Sequence, residues 1–201
     1  MRIAVIGAGK VGSALGRRFT ATGHDVVFGV RAPAKYPGPG VFMAPHDAVE
    51  GAEVVVLAVP WSAVGEVVPA LGDLRDAVLV DATNPFTPEL AGLAVDSSGG
   101  EVVASLAIGA RLVKAFNTTG AGNLAQPDYG PIRPWMPLAG NDPEAKETVT
   151  ELAEQIGFDA LDVGPLEMAR RLEELALLWV RLAYVEGHGP DLAFALLHRP
   201  G

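Results

Sequence analysis

The sequence contains no cysteine among its 201 residues. A chain without thiols has no disulfide framework, no thiolate-bound metal and no cysteine nucleophile. Its four histidines show no metal-site spacing such as His-Glu-x-x-His, and they are expected to be surface or capping residues. The Gly-x-Ser-x-Gly turn of serine hydrolases is missing as well. These absences argue against several classes of catalytic centre.

Basic residues are also few. Fifteen Lys and Arg stand against 24 Asp and Glu, which gives a formal net charge of −9. Nucleic-acid-binding proteins normally carry a basic face, so a nucleic-acid partner is not expected. A site for an anionic ligand depends on local groups, however, and several cations fall within the first 35 residues. They are Lys10, Arg17, Arg18, Arg31 and Lys35.

No hydrophobic run reaches the roughly 20 residues that a membrane-spanning helix needs. The apolar run that starts at Ile3 ends at Gly7, and the most apolar later stretch, residues 175–184, is interrupted by Arg181. Neither a membrane span nor an export signal is therefore expected. The sequence predicts a cytoplasmic protein.

The composition is typical of a globular protein, with 49% hydrophobic and 19% charged residues. A chain of 201 residues is long enough for one well-packed domain. No repeat, low-complexity tract or linker divides it. We expect a single domain over residues 1–201, with a core of residues 1–163 and a C-terminal helical extension of residues 164–201.

Short β-branched runs alternate with segments of helical periodicity. This alternation predicts an α/β fold of the Rossmann type, a doubly wound, mainly parallel sheet with helices on both faces. Proline and glycine predict a loop over residues 33–40. The predicted strands are residues 2–6, 25–30, 53–59, 77–82, 111–116, 136–139 and 158–163, and the predicted helices are residues 10–22, 61–71, 98–107, 142–156 and 166–186.

The last predicted helix, residues 166–186, is apolar on nearly every side of its second half. A helix of this kind has to be buried all round. In a small domain it is expected to pack on the sheet with one face and on a second copy of the chain with the other. The sequence thus predicts a homodimer.

A glycine-rich turn follows the first strand directly. It matches G-x-G-x-x-G between a buried strand and an amphipathic helix, which is the context of dinucleotide binding. The first glycine allows the tight turn, the second lets the backbone approach a pyrophosphate, and the third lets helix and strand pack closely. The helix N-terminus adds free N–H groups and a partial positive charge. The predicted pyrophosphate-binding residues are Gly7, Ala8, Gly9, Lys10, Val11 and Gly12.

The end of the second strand indicates which dinucleotide is bound. NAD-binding proteins usually carry an Asp or Glu there, about 20 residues beyond the glycines, for the ribose 2′-hydroxyl. Here the strand ends Gly29-Val30-Arg31, and Lys35 follows. A carboxylate repels a 2′-phosphate, whereas a guanidinium binds it through two parallel hydrogen bonds. Arg31 and Lys35 therefore favour NADP(H), the alternative being that Arg31 is an ordinary solvated cation.

Further segments of the chain carry a family resemblance. They resemble, in order and over essentially the full chain, the NADP-dependent oxidoreductases that act on the deazaflavin coenzyme F420. They are also similar to the cytosolic reductase domain of the six-transmembrane metalloreductases, which use NADPH and flavin to reduce iron and copper. The segments are residues 80–85 (Val-Asp-Ala-Thr-Asn-Pro), 113–119 (Val-Lys-Ala-Phe-Asn-Thr-Thr), 139–142 (Ala-Gly-Asn-Asp), 164–166 (Gly-Pro-Leu), 169–170 (Ala-Arg) and 178–179 (Leu-Trp).

The resemblance implies a Rossmann fold, an NADP(H) cofactor and a deazaflavin or flavin as the second redox partner, without singling out one acceptor. It also implies that the glycines of the turn hold the pyrophosphate and that Arg31, with Lys35, holds the 2′-phosphate. Two positions depart from the family pattern, because Ala8 and Val30 stand where members often carry hydroxyl groups for the 2′-phosphate. Discrimination is then left to the two cations.

For the rest of the dinucleotide, the resemblance implies contacts from segments that follow later strands. Residues along the adenosine and ribose would be Ala58, Val59, Pro60 and Trp61. Residues that flank the nicotinamide would be Asn84, Pro85 and Asn117. The two asparagines could instead satisfy backbone groups of their loops, a common role of asparagine in turns.

Hydride transfer between a nicotinamide and a flavin-like ring requires two correctly placed rings, and the cofactors supply the reactivity. The lack of an acid–base pair is compatible with such a reaction, and no catalytic side chain is predicted. Two other functions stay open. One is an NAD(P)-dependent dehydrogenase or reductase of a small substrate, although such families usually add a large helical C-terminal domain. The other is a non-catalytic NADP(H) sensor.

Overall fold

The computed structural model describes residues 1–36, 39–75 and 77–199 of the chain. Its strands are β1 Arg2–Ile6, β2 Asp25–Gly29, β3 Val41–Met43, β4 Val54–Leu57, β5 Val78–Asp81, β6 Arg111–Lys114, β7 Trp135–Gly140 and β8 Asp159–Asp162. They form an eight-stranded sheet in the order β3-β2-β1-β4-β5-β6-β7-β8. Neighbouring strands are parallel except for β6 and β7, so the mainly parallel sheet that the sequence predicts is confirmed.

Seven α-helices lie within the described ranges: α1 Lys10–Ala21, α2 Pro45–Val49, α3 Val64–Ala70, α4 Gly99–Leu106, α5 Ala121–Ala125, α6 Pro143–Gln155 and α7 Ala169–Val180. Side chains from α1, α5 and α6 belong to the core on one face of the sheet. Those from α2, α3, α4 and α7 belong to the core on the other face. The fold is therefore a doubly wound Rossmann-type fold, as predicted.

The alternation of side chains along each central strand produces these two cores. Val54 and Val56 of β4 contribute to one core, whereas Val55 and Leu57 contribute to the other. All four are fully buried. A strand that is covered on both faces has no need for polar residues, which explains why the central strands read as continuous apolar runs.

Some local predictions were incomplete. Strand β3 and helix α5 were not predicted, because three and five residues are too short to show a periodicity. The predicted loop at residues 33–40 contains a 3₁₀ turn at Pro33–Lys35. Two of its residues, Pro37 and Gly38, lie outside the described part of the chain, as do Asp76 and the last two residues of the predicted C-terminal extension.

The predicted C-terminal helix is built from three pieces. A 3₁₀ turn at Leu166–Met168 precedes α7, and a π-helical turn at Arg181–Val185 follows it. Within one chain this element is not buried all round, since Leu178 and Tyr184 are 48% and 62% exposed. None of the helices in the described ranges combines the length and the hydropathy that a membrane span requires.

Candidate dinucleotide-binding site

The glycine turn between β1 and α1 brings the backbone closer to its neighbours than any side chain would allow. Gly7 has a φ of +100°. A Cβ on Gly7 would lie 2.5 Å from the carbonyl oxygen of Ala58, and a Cβ on Gly12 would lie 1.9 Å from the carbonyl oxygen of Gly7. Such contacts are sterically forbidden, so both positions require glycine. The tight turn predicted at Gly7 and the close helix–strand packing predicted at Gly12 agree with this geometry.

The N-terminus of α1 is open to a ligand. Gly9 is the N-cap residue, no side chain accepts a hydrogen bond from the first turn, and no acidic residue lies in that turn. The first N–H groups of a helix have no partner within the helix, and with the helix dipole they favour an anion. Gly9 and Lys10 are exposed, and Ala8 and Val11 are half-buried. The predicted pyrophosphate-binding residues thus surround a free helix N-terminus.

This turn lies at the point where the strand order of the sheet reverses. From β1 the chain proceeds outward to β2 and β3 on one side, and β4 to β8 lie on the other side. Dinucleotides bind in the crevice at the carboxyl ends of the strands at such a switch point. The segment from Ala58 to Trp61 follows β4 and forms the other side of this crevice, where Ala58 donates a backbone hydrogen bond of 2.9 Å to Ile6 of β1.

Arg31 and Lys35 follow β2 at the same edge of the sheet. Both side chains are exposed. Neither side chain makes a hydrogen bond or an ion pair with any residue in the described ranges 1–36, 39–75 and 77–199. No carboxylate of the described chain neutralises them, so both charges are available to an external anion.

Asn84 and Asn117, which are 33 residues apart in sequence, form a reciprocal pair. Asn84 Nδ2 donates to the backbone carbonyl of Asn117 at 2.9 Å, and Asn117 Nδ2 donates to Asn84 Oδ1 at 3.0 Å. The two bonds fix the orientation of both amides, because each group has its donor opposite an acceptor. Among the described residues, Asn117 Oδ1 is buried without a hydrogen-bond partner. A buried acceptor without a partner is costly, so this oxygen is available to a donor on a ligand or to a water molecule.

The backbone before Asn117 is strained. Phe116 has a φ of +59°, a conformation that non-glycine residues seldom adopt. Its ring is 1% exposed, and its backbone N–H points to the sulfur of Met136 at 3.3 Å. Strain of this type costs about 1–3 kcal/mol and persists where the surrounding packing enforces it, often next to a functional residue. Here it turns the chain sharply at the end of β6 and places Asn117 opposite Asn84.

Three fully buried ionisable residues, Asp81, Lys114 and Glu173, lie directly beside this pair. Lys114 Nζ is 2.8 Å from Asp81 Oδ2 and 2.8 Å from Glu173 Oε1. Sequence reasoning did not assign any of them to the site. The available signal was their position, since Asp81 and Lys114 are the last residues of β5 and β6, at the carboxyl edge where ligands of this fold bind.

His24 and His46 take part in structural contacts, and His188 and His198 are exposed. His24 Nε2 is 2.8 Å from Gln155 Oε1, and His46 Nδ1 is 3.1 Å from the carbonyl of Leu71. Asp81, the carboxylate nearest to the candidate site in sequence, is bonded to Lys114 rather than to a histidine.

Comparison with known proteins shows which family part of the chain is similar to. Residues 2–85, which include the glycine turn, the crevice and Asn84, match the family described as "NADP oxidoreductase coenzyme F420-dependent". The match covers less than half of the 201 residues. Over residues 2–85, it confirms the resemblance on which the sequence analysis relied.

The chain has relatives along most of its length. It is 32% identical to metalloreductase STEAP3 of Rattus norvegicus over 88% of this chain. It is 28% identical to the F420-dependent NADP reductase of Methanocaldococcus jannaschii over 68% of this chain and 64% of that protein. The solved structure of a protein from Arthrobacter sp. FB24, provisionally named an F420-dependent NADP reductase, matches at 28% identity with a TM-score of 0.86 and covers 98% of this chain and 99% of that one.

The chain spans 36% of the length of the curated metalloreductases that it matches. The segments that carry the resemblance lie at both edges of the sheet. Residues 80–85 and 113–119 follow the ends of β5 and β6 at the carboxyl edge, whereas Gly140 lies opposite Val113 and its chain continues towards the other edge, because β7 runs antiparallel to β6. Trp179 of α7 lies against Gly120, just beyond Asn117, where a Cβ would be 2.4 Å from the indole ring. The indole nitrogen donates to the carbonyl of Leu192 at 2.8 Å. The C-terminal segment therefore packs beside the loop that holds Asn117.

Proposed function

We propose that the protein binds NADP(H) along the carboxyl edge of the sheet and transfers a hydride between the nicotinamide and a deazaflavin or flavin ring. The observation that carries the proposal is the open first turn of α1 at the switch point, where Gly7 and Gly12 leave no room for side chains. The match of residues 2–85 to a family of NADP oxidoreductases supports it. The proposal includes a small-molecule redox donor or acceptor as partner and the cytoplasmic location expected from the sequence.

The described residues fit the phosphate groups of NADP(H). The free N–H groups of the first turn of α1 are placed for the pyrophosphate. Arg31, with Lys35, would hold the 2′-phosphate, since both are exposed cations without partners in the described chain. The segment Ala58–Trp61 would lie along the adenosine and ribose. This segment offers a mostly apolar surface, because Val59 and Trp61 are hydrophobic residues that are only partly buried against the core.

Removal of the Arg31 side chain should weaken the binding of NADPH and change the binding of NADH little. A hydrogen bond to a charged group contributes about 1.5–3 kcal/mol, which corresponds to tenfold or more in affinity. We therefore expect Arg31→Ala to raise the dissociation constant of NADPH about tenfold or more and to change that of NADH little. Isothermal titration of both nucleotides checks this.

Arg171→Ala is a matched control, because Arg171 is an exposed arginine on α7 that pairs with Glu174 at 2.8 Å. It should bind NADPH as the unmodified protein does. An equal loss for NADPH and NADH in the Arg31 variant would refute the assignment of Arg31 to the 2′-phosphate.

The asparagine pair fits the nicotinamide half. Asn117 Oδ1 is the buried acceptor without a partner, and a carboxamide N–H is a donor of the kind that it lacks. Asn84 holds the Asn117 side chain in place, and Pro85 beside it is buried. The bound nicotinamide supplies the hydride chemistry. The chain's own groups orient the ring and exclude water from one side of it, which is sufficient for a reaction without proton transfer by the protein.

The acceptor is identified by turnover. NADPH oxidation is followed by stopped flow with coenzyme F420, with flavins and with ferric chelates in separate experiments. We expect oxidation with F420 or a flavin. Tight NADPH binding with no turnover on any of these acceptors would instead support the non-catalytic sensor, and it would refute the hydride-transfer proposal for these acceptors.

We also propose that the protein is a homodimer through α7 and the π-helical turn that follows it. Leu178, Tyr184 and Val185 expose 48%, 62% and 52% of their surface on this element.

A charged residue in an apolar interface has to be desolvated without a partner, so Leu178→Asp should convert the dimer to a monomer. Ile108→Asp, at an 87% exposed position elsewhere, is the control and should leave the dimer intact. Light scattering at micromolar concentration measures the molecular mass of each protein. A monomeric mass for the unmodified protein would refute the proposed dimer.

A further inference from the structure

Lys114 is fully buried at the end of β6 and takes part in none of the cofactor contacts proposed above. An ammonium group has three N–H donors. Here Lys114 donates to Asp81 Oδ2 at 2.8 Å and to the backbone carbonyl of Thr83 at 2.7 Å, and it forms an ion pair with Glu173 Oε1 at 2.8 Å. Two of these partners are expected for a buried lysine, since they are opposite charges. The third is a backbone carbonyl in the segment that leads to Asn84.

Thr83 is held through every polar group that it has. Its backbone N–H and its hydroxyl both donate to Asp81 Oδ1, at 2.9 and 2.7 Å, and its carbonyl accepts from Lys114. Thr83 itself is 3% exposed. A residue fixed at three atoms has almost no freedom to rotate, so the direction in which the chain leaves it is fixed as well. The next residue along the chain is Asn84.

The position of Asn84 sets that of Asn117. Asn84 makes both of the hydrogen bonds that join the pair, and the partnerless acceptor of Asn117 depends on the amide orientation that these bonds impose. A shift of Thr83 would therefore move the whole pair. The effect would be confined to the nicotinamide half, because Arg31 and the glycine turn belong to β1, β2 and α1.

Glu173 of α7 fixes the far end of the same loop. Its two carboxylate oxygens accept from the backbone N–H groups of Gly99 and Gly100 at 2.9 and 3.0 Å, at the start of α4. Arg170, one turn earlier in α7, donates to the carbonyls of Asp96 and Ser97, at 2.6 Å each. The loop from Asn84 to Ser98 is thus tied to the Lys114 network at both ends.

The charges of the network explain why it is stable in the interior. One ammonium faces two carboxylates, and the N-terminus of α4 adds partial positive charge beside Glu173. The pair of glycines at this terminus lets α7 approach, since a Cβ on Gly100 would be 2.8 Å from Ala169 Cβ. Each ion is bonded to the others or to backbone groups, which offsets the cost of burying it.

We infer that Lys114 is a positioning residue for the nicotinamide half of the cofactor site, acting through Thr83 and Asn84, and that Glu173 couples α7 to the same site. This inference rests on the proposed function. It assigns a role in binding to a lysine that touches neither cofactor nor substrate.

The test compares NADPH with adenosine 2′,5′-bisphosphate, which carries the adenosine half and the 2′-phosphate but no nicotinamide. We expect Lys114→Met to weaken NADPH about tenfold and to leave the affinity for the bisphosphate unchanged, because a charge-assisted hydrogen bond to Thr83 is lost. Titration calorimetry gives both affinities. The double variant Lys114→Met/Glu173→Gln removes the same donor with one fewer buried carboxylate, and it should show the same selective loss if the single variant is poorly folded.

Lys146→Met is the matched control. It breaks another lysine–aspartate pair, Lys146 with Asp162 at 2.7 Å, on α6 and β8. This variant should bind both ligands like the unmodified protein. Unchanged NADPH affinity in both Lys114 variants would overturn the inference, and so would an equal loss of both ligands. If the unmodified protein binds neither ligand, the proposed NADP(H) site itself fails, which is a distinguishable result.

Discussion

Gly9→Ala is expected to weaken NADPH binding tenfold or more without lowering the stability of the fold. Gly9 has φ −73° and ψ −167°, which alanine adopts without strain. A Cβ at this position meets no heavy atom within 4 Å. The protein therefore has room for the methyl group. That same space, in front of the first turn of α1, is where a pyrophosphate has to approach the backbone.

The loss should reach tenfold or more, because hydrogen bonds between the helix N–H groups and a charged phosphate contribute about 1.5–3 kcal/mol each. Titration calorimetry gives the affinity, and urea unfolding gives the stability. The comparison variant is Gly12→Ala, because a Cβ at position 12 would lie 1.9 Å from the carbonyl oxygen of Gly7. The Gly12→Ala variant should have both a lower free energy of unfolding and a lower affinity for NADPH. A Gly9→Ala protein with unchanged NADPH affinity would show that the turn is structural.

Lys114→Met is expected to lower the free energy of unfolding by about 3–5 kcal/mol, the range found when one partner of a buried ion pair is removed. The substitution leaves the carboxylates of Asp81 and Glu173 buried without their cation. This loss is large compared with the 5–15 kcal/mol that stabilises a typical domain, but it is compatible with a folded protein. Urea unfolding followed by circular dichroism measures it.

The more exposed pair of Lys146 and Asp162 provides the comparison. The Lys146 side chain is 16% exposed and that of Asp162 46% exposed, so Lys146→Met should cost only about 0–1 kcal/mol. The triple variant Asp81→Asn/Lys114→Met/Glu173→Gln removes all three charges and should recover part of the loss. Equal costs for Lys114→Met and Lys146→Met would show that the buried charges do not depend on one another.

The part of the site that the sequence predicts best is the part formed by neighbouring residues. Strand β1, the glycine turn and α1 follow each other within 20 residues, and each has a local signal: a short apolar run, glycines at fixed spacing, and apolar residues at helical spacing. Arg31 is predictable for the same reason, since its position is counted from the glycines. The asparagine segments came from the family resemblance, and the structure brings them together.

What could not be predicted depends on contacts across the chain. Lys114, Asp81 and Glu173 come from β6, β5 and α7, and nothing in the sequence around each residue indicates the other two. The strained conformation of Phe116 is invisible for a similar reason, because phenylalanine gives no local signal for a positive φ. The exposed side of α7 was predicted as buried from its apolar composition, which does not say whether another chain covers it.

The most direct test of the proposed NADP(H) site is a paired calorimetric titration of the unmodified protein with NADPH and with NADH. Both share the pyrophosphate, the adenosine and the nicotinamide, and they differ at the 2′-phosphate that Arg31 and Lys35 are proposed to hold. We expect micromolar binding of NADPH and much weaker binding of NADH. Absence of binding for both nucleotides would contradict the proposed site, because the open turn of α1 would then be a structural feature and not a dinucleotide site.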